Sequence, residues 1–162
     1  MAVHVQSADF DSAAEIARFE RQAALKGAGA VASFCGLVRG REGADGPLIG
    51  AMTLEHYPGM TERALAAIEA EALTRWPLTD SLIIHRFGRL EPGARIVLVC
   101  TASSHREAAF AACAFLMDWL KTKAPFWKKE ETLDGPRWVE AKAEDDARAA
   151  AWNEAAPPRR PA

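Results

Sequence analysis

The chain has 162 residues, 49% hydrophobic and 26% charged, with a formal net charge of -2 at pH 7. These proportions describe one soluble globular domain with a sizeable core, and the slightly acidic total excludes a protein that coats nucleic acid by bulk charge. The longest apolar runs, such as IVLVC at 96–100, are too short to span a bilayer, MAVHVQSADF has no secretory pattern, and Cys35, Cys100 and Cys113 show no CxxC spacing, so a reducing cytoplasm is expected.

Ser12 and Glu15 stand at capping-box spacing, with Ile16, Phe19 and Ala23 at helical intervals and Gly27 as a stop, which predicts a helix over 12–26. AVASFCGLV at 30–38 is strand-like, and RGREGADGP at 39–47 is a glycine-rich loop. AMTLEHY at 51–57 predicts a strand with Met52, Leu54 and His56 on one face and Thr53, Glu55 and Tyr57 on the other. Thr61 is a candidate cap for a helix carrying Leu65, Ile68, Ala72 and Trp76, ended by Pro77. LIIHRF at 82–87 and RIVLVCTA at 95–102 are two further strands around a Glu91-Pro92-Gly93 turn. Ser104 and Glu107 form a second capping box, opening a helix with an Ala109, Cys113, Leu116, Met117 and Leu120 stripe, which Pro125 ends. PRWVEAK at 136–142 is a candidate last strand. The domain is expected to fill 1–152, with 153–162 a flexible proline-rich tail. Short hairpin-like connections favour a single α+β domain over a doubly wound sheet.

The chemistry concentrates in LKTKAPFWKKE at 120–130, where Lys121, Lys123, Lys128 and Lys129 surround Phe126 and Trp127. A solvated helix end accounts for Lys121 and Lys123, since cations suit a helix C-terminus, but not for the lysines beyond Pro125. A nucleic-acid contact also uses lysines and aromatics, but Glu130 and Glu131 follow directly. The third reading is an anion site. With Ser104 as cap, His105 and Arg106 begin a helix, where each basic side chain costs about 0.3–1 kcal/mol unless an anion joins it. Solvent exposure of this pair carries equal weight. Arg39, at the mouth of the glycine-rich loop, adds a fifth cation to His105, Arg106, Lys121 and Lys128. Cys35 is a tempting nucleophile whose mid-strand setting favours a small buried hydrophobe. His56 and His85 fall within strand patterns and are expected to be satisfied core histidines. No phosphate loop, GxGxxG fingerprint or Ser-His-Asp order is present.

The stretches FCGLVRG, TLEHYPGMTERAL, RWPL, IHRFGRLEPG, SSHREAAF, FLMDWLKTKAPFWKKE and DGPRWVEAK, in this order over about 30–142, resemble the large, catalytic subunit of molybdopterin synthase, the MoaE family. The resemblance implies an α/β hammerhead with additional antiparallel strands. It implies a sulfurtransferase of molybdenum-cofactor biosynthesis that converts cyclic pyranopterin monophosphate to the molybdopterin dithiolene. Sulfur arrives as the C-terminal Gly-Gly thiocarboxylate of a small ubiquitin-like partner, in a heterotetramer built on a homodimer. No metal, further cofactor, nucleic acid or membrane is implied; the non-catalytic alternative is a module that only binds such a tail or a phosphorylated ligand. By matching position, Lys121 and Lys128 are expected to be catalytic. Leu37, Val38, Arg39, His105, Arg106, Lys129 and Glu130 join them as substrate-binding positions, and Lys142 as a contact to a neighbouring subunit's pocket. Two departures stand out. Leu37 replaces a polar or basic residue of some relatives, leaving its backbone to contribute, and Lys142 replaces an arginine, which keeps charge but loses the bidentate fork.

Overall fold

Continuous apolar runs and alternating ones sort the strands into two sheets with different surroundings. The computed structural model describes residues 1–41, 43, 45–132, 135–139 and 143–154. Its elements are β1 (Ala2–Gln6), α1 (Ser12–Leu25), β2 (Ala30–Leu37), β3 (Ile49–His56), α2 (Met60–Arg75), β4 (Leu78–Arg86), β5 (Gly88–Leu90), β6 (Arg95–Ser103), α3 (Arg106–Thr122), β7 (Phe126–Thr132), β8 (Gly135–Val139) and α4 (Ala143–Glu154). One sheet has the order β1-β4-β6-β2 and the other β5-β3-β7-β8. Among the described strands, only the β1–β4 pairing is parallel. This is the expected mixed α+β architecture, and the second sheet supplies its additional antiparallel strands.

The first sheet is covered on both faces, which is why LIIH and IVLVC read as nearly unbroken apolar runs. Leu82, Ile84, Leu98, Cys100 and Ala102 pack with Phe19 and Ala23 of α1. The alternate residues Ile83, Val97 and Val99 pack with Leu65 and Ile68 of α2 and Phe115 and Leu116 of α3. Each such fully buried Leu, Ile or Phe is worth about 1.5–3 kcal/mol of transfer free energy. The second sheet buries only its inner face, where Met52 and Leu54 meet Val38 and Leu90. Thr53, Glu55 and Tyr57 turn outward, as the period-two pattern requires.

Three expected caps are corrected by the backbone. The N-cap of α1 is Asp11, whose carboxylate accepts from the N–H groups of Ala13 (2.9 Å) and Ala14 (3.2 Å), so Ser12 is already helical. The cap of α2 is Gly59, held at φ 80°, with the Glu62 carboxylate accepting from its N–H. Thr61 is buried inside the first turn, where its Oγ1 donates to the Pro125 carbonyl at 3.2 Å. It thereby ties α2 to the segment that leads into β7. The cap of α3 is His105 with no side-chain bond, so the Ser104–Glu107 box does not form.

Four elements lie beyond the predicted set: β1, β5, β7 and α4. Of these, α4 matters most for the site. Its Trp152 sits edge-on to Trp76 and Phe115, donates Nε1–H to Asp118 at 2.8 Å, and accepts from Arg75 at its carbonyl. These contacts fix α4 beside the C-terminal half of α3. The helix continues through Glu154, two residues into the expected tail; residues 155–162 lie outside the described part.

Candidate active site

A cavity of about 700 Å³ opens between the two sheets. Its walls are the end of β2 with Val38 and Arg39, the inner face of β3 and β7, the last turns of α3, and the first half of α4. Antiparallel pairing sets Leu54 opposite Lys128 and Met52 opposite Glu130, so both charged side chains of β7 share the inner face with an apolar floor. The next strand places Arg137 directly opposite Glu130.

Each lysine of the cavity has an acidic partner. Lys121 Nζ, half-exposed, lies 3.3 Å from the largely covered Asp145 of α4, a solvent-screened pair worth no more than about 1 kcal/mol. Lys128 Nζ lies 2.7 Å from one oxygen of Glu130, and Arg137 donates to the other at 3.1 Å. Glu130 is 5% exposed. Burial alone raises its carboxyl pKa, but the bonds from Lys128 and Arg137 outweigh that and hold it below the usual carboxylate range. The glutamate is therefore charged, and it clamps Lys128 in place.

The uncharged wall is also organised. Phe126 stacks on His85 with ring centroids 3.8 Å apart and an interplanar angle of 15°. Burial pushes the His85 pKa down to about 4, and its Nδ1 lies 2.9 Å from the Arg86 carbonyl. The ring is thus neutral near pH 7 and carries its proton on the nitrogen facing that carbonyl. Cys35 also lines the cavity, half-buried, and burial raises its pKa, which makes it a poor thiolate source. Among the described residues no group of three His, Cys, Asp or Glu is placed to hold a metal ion.

The structure brings together Leu37, Val38, Arg39, Lys121, Lys128 and Glu130 of the expected set. Within that group Val38 is wall rather than donor. Its side chain is buried, its N–H donates to Ala94 and its carbonyl accepts from Gly93. Leu37 is 54% exposed at the rim. Lys129 is not in the cavity; it lies on the outer face of β7, with Nζ 5.6 Å from the Trp138 ring. Phe126 and Trp127 separate in the same way, Trp127 meeting Tyr57 edge-on outside. His105 and Arg106 are exposed at the opposite end of α3 from Lys121, about 22 Å away along the axis. Lys142 lies outside the described residues. Sequence reasoning missed Asp145, Arg137 and Arg148, whereas His85 is the buried, hydrogen-bonded histidine it was expected to be. The acidic first turn of α4, with Glu144 and Asp145 beside the cavity, was the readable signal for one of them.

Fold and cavity together define a two-sheet α+β protein whose site offers Arg39, Lys121 and Lys128 to an anion, with no activated thiol beside them. Comparison with known proteins narrows that class. The profile described as "MoaE protein" matches residues 5–123. The chain is 56% identical over 154 residues to the molybdopterin synthase catalytic subunit of Pseudomonas aeruginosa, covering 95% of this chain and 100% of that one. Among solved structures it is similar to a molybdopterin biosynthesis MoaE protein from Burkholderia ambifaria, with TM-score 0.77, 52% identity, and 94% and 99% coverage. It is also similar to molybdopterin synthase from Staphylococcus aureus, with TM-score 0.71, 29% identity, and 85% and 96% coverage. The chain belongs to the MoaE family.

Proposed function

We propose that this chain is the catalytic subunit of a molybdopterin synthase, moving sulfur from the thiocarboxylate tail of a small ubiquitin-like subunit onto cyclic pyranopterin monophosphate. The observation that carries the reading is the 700 Å³ cavity in which Arg39, Lys121 and Lys128 converge, in a chain of this family. Both reactants are anions, one a cyclic phosphate and the other a thiocarboxylate, so fixed cations in a partly dry cleft suit each. Lys121 and Lys128 stabilise the charge that develops on the tail carbonyl and on the opening phosphate, and serve as proton carriers. Arg39 at the rim holds the phosphate. Because sulfur comes with the partner, Cys35 needs no role, in keeping with its raised pKa.

Four cations line the cavity, but so do Glu130, Glu144 and Asp145, and this limits its pull on a doubly charged phosphate. His105 and Arg106, on the far end of α3, strengthen the site only when a second copy of the chain presents them. The reading therefore includes a homodimer with one small subunit bound to each chain. Among the described residues no helix is long and apolar enough to cross a membrane. Three free thiols suit a reducing compartment, and the reading places the reaction in the cytoplasm.

The test is turnover with purified thiocarboxylated partner and the cyclic pterin. Lys121→Ala is expected to lower kcat by about 100- to 1000-fold with partner binding retained, and Cys35→Ala to keep near-normal rates. A Lys121→Ala variant with near-normal turnover contradicts the assignment, and an inactive but folded Cys35→Ala variant contradicts the partner-delivered sulfur.

A further inference from the structure

The lysine of β7 that faces the cavity does not stand alone. Strand periodicity puts Lys128 and Glu130 on one face of β7, and the β7–β8 register puts Arg137 across from Glu130 on that same face. The carboxylate divides its two oxygens between them, Oε1 to Lys128 at 2.7 Å and Oε2 to Arg137 at 3.1 Å. Glu130 is nearly buried, whereas the side chains of Lys128 and Arg137 are 33% and 43% exposed. A buried carboxylate that loses one of its two cations is left under-compensated, so it protonates more readily or turns toward the cation that remains. Either response moves the ammonium of Lys128.

We propose that Arg137 is a positioning residue for the reaction, acting through Glu130 to aim the Lys128 ammonium into the cavity. The inference rests on the functional reading above and adds a residue that does not line the cavity. It differs from a purely structural cross-strand pair because its effect runs through a neighbour that meets the substrate. Lys128 and Arg137 touch Glu130 directly. Among the described residues, the other charged groups lining the cavity are Arg39, Lys121 with Asp145, and Glu144 and Arg148 of α4, with the neutral His85 behind Phe126.

The experiment compares wild type, Arg137→Met and Arg137→Lys in complex with thiocarboxylated small subunit and cyclic pterin, recording kcat and KM against pH. Urea unfolding of each variant accompanies the kinetics. Arg137→Met is expected to lower kcat by about tenfold to a hundredfold through misplacement of the lysine, with KM for the pterin nearly unchanged. With that cation gone the Glu130 pKa rises, so the acidic limb of the kcat profile moves to higher pH; Arg137→Lys restores part of both effects. Unchanged kcat and an unmoved limb overturn the proposal, as does a loss confined to KM. If the wild type itself makes no dithiolene, the functional reading fails, and the Glu130 carboxyl titration followed by 13C NMR decides the inference. A higher midpoint in Arg137→Met with a displaced Lys128 side-chain signal supports it, and identical spectra for both groups refute it.

Discussion

Lys128 and Lys129 are adjacent in the chain and point to opposite sides of β7, one into the cavity beside Glu130 and the other over Trp138 outside. The same period of two separates Phe126, stacked on His85, from Trp127, packed against Tyr57. Lys123 keeps the helix-end role expected of it, capping α3 with its ammonium 4.2 Å from the Trp119 ring. Of the four lysines gathered around Pro125, two therefore line the cavity. His85 contributes to stability in a way its charge state makes measurable. The unfolded imidazole titrates near 6.5 and the folded one near 4. Between these values the unfolded chain binds a proton that the folded chain refuses, so stability is complete above pH 6.5 and falls as pH drops toward 4, by about 3 kcal/mol over the window. His85→Phe keeps the stack and removes the titration. Denaturation between pH 7.5 and 4.5 is expected to show a shallower loss in the variant than in wild type; equal slopes contradict the neutral, buried assignment.

At the scale of elements, α2, α3, β4 and β6 were readable because their burial is uniform: a 3.6-residue apolar stripe for the helices and unbroken apolar runs for strands covered on both faces. β7 was not, because Lys128 and Glu130 occupy its inward positions, where the polar-outside rule expects apolar residues. β1 is a five-residue edge strand whose partner lies far along the chain, and local pattern does not reveal such a pairing. α4 is anchored chiefly by Trp152 and Ala149, too few apolar positions to announce a buried face. The start of α3 depends on a close approach instead of the predicted serine cap. Gly29 donates its N–H to the Ser103 carbonyl at 3.0 Å, and a Cβ on Gly29 falls 2.5 Å from the Ser104 carbonyl oxygen. Gly29→Ala must displace backbone next to His105 and is expected to cost about 1–3 kcal/mol. A lowered urea midpoint checks this, and an unchanged midpoint shows that the junction yields freely.

For the whole molecule, the residue types of the proposed site were readable and their placement in space was not. The matching segments gave Arg39, Lys121 and Lys128, which converge on one cavity, and His105 with Arg106, which a 17-residue helix carries to its other end. Sequence order does not say which copy of a chain completes a pocket. If a second copy does, Lys121→Ala and Arg106→Ala chains are each inactive alone, and their mixture recovers about a quarter of wild-type activity when subunits reassort at random. No recovery on mixing, with heterodimers verified, contradicts the shared site. The central claim is that this cavity accepts sulfur from a partner's thiocarboxylate and builds a dithiolene. Its most direct measurement is a reaction of the wild-type chain with one equivalent of cyclic pterin and at least two equivalents of small subunit, each carrying one isotopically labelled thiocarboxylate sulfur, followed by mass spectrometry of the pterin. The account predicts two labelled sulfurs on the product, with none retained on Cys35, Cys100 or Cys113. Label held on a cysteine of this chain, or an unchanged pterin in the presence of folded and bound partner, contradicts it.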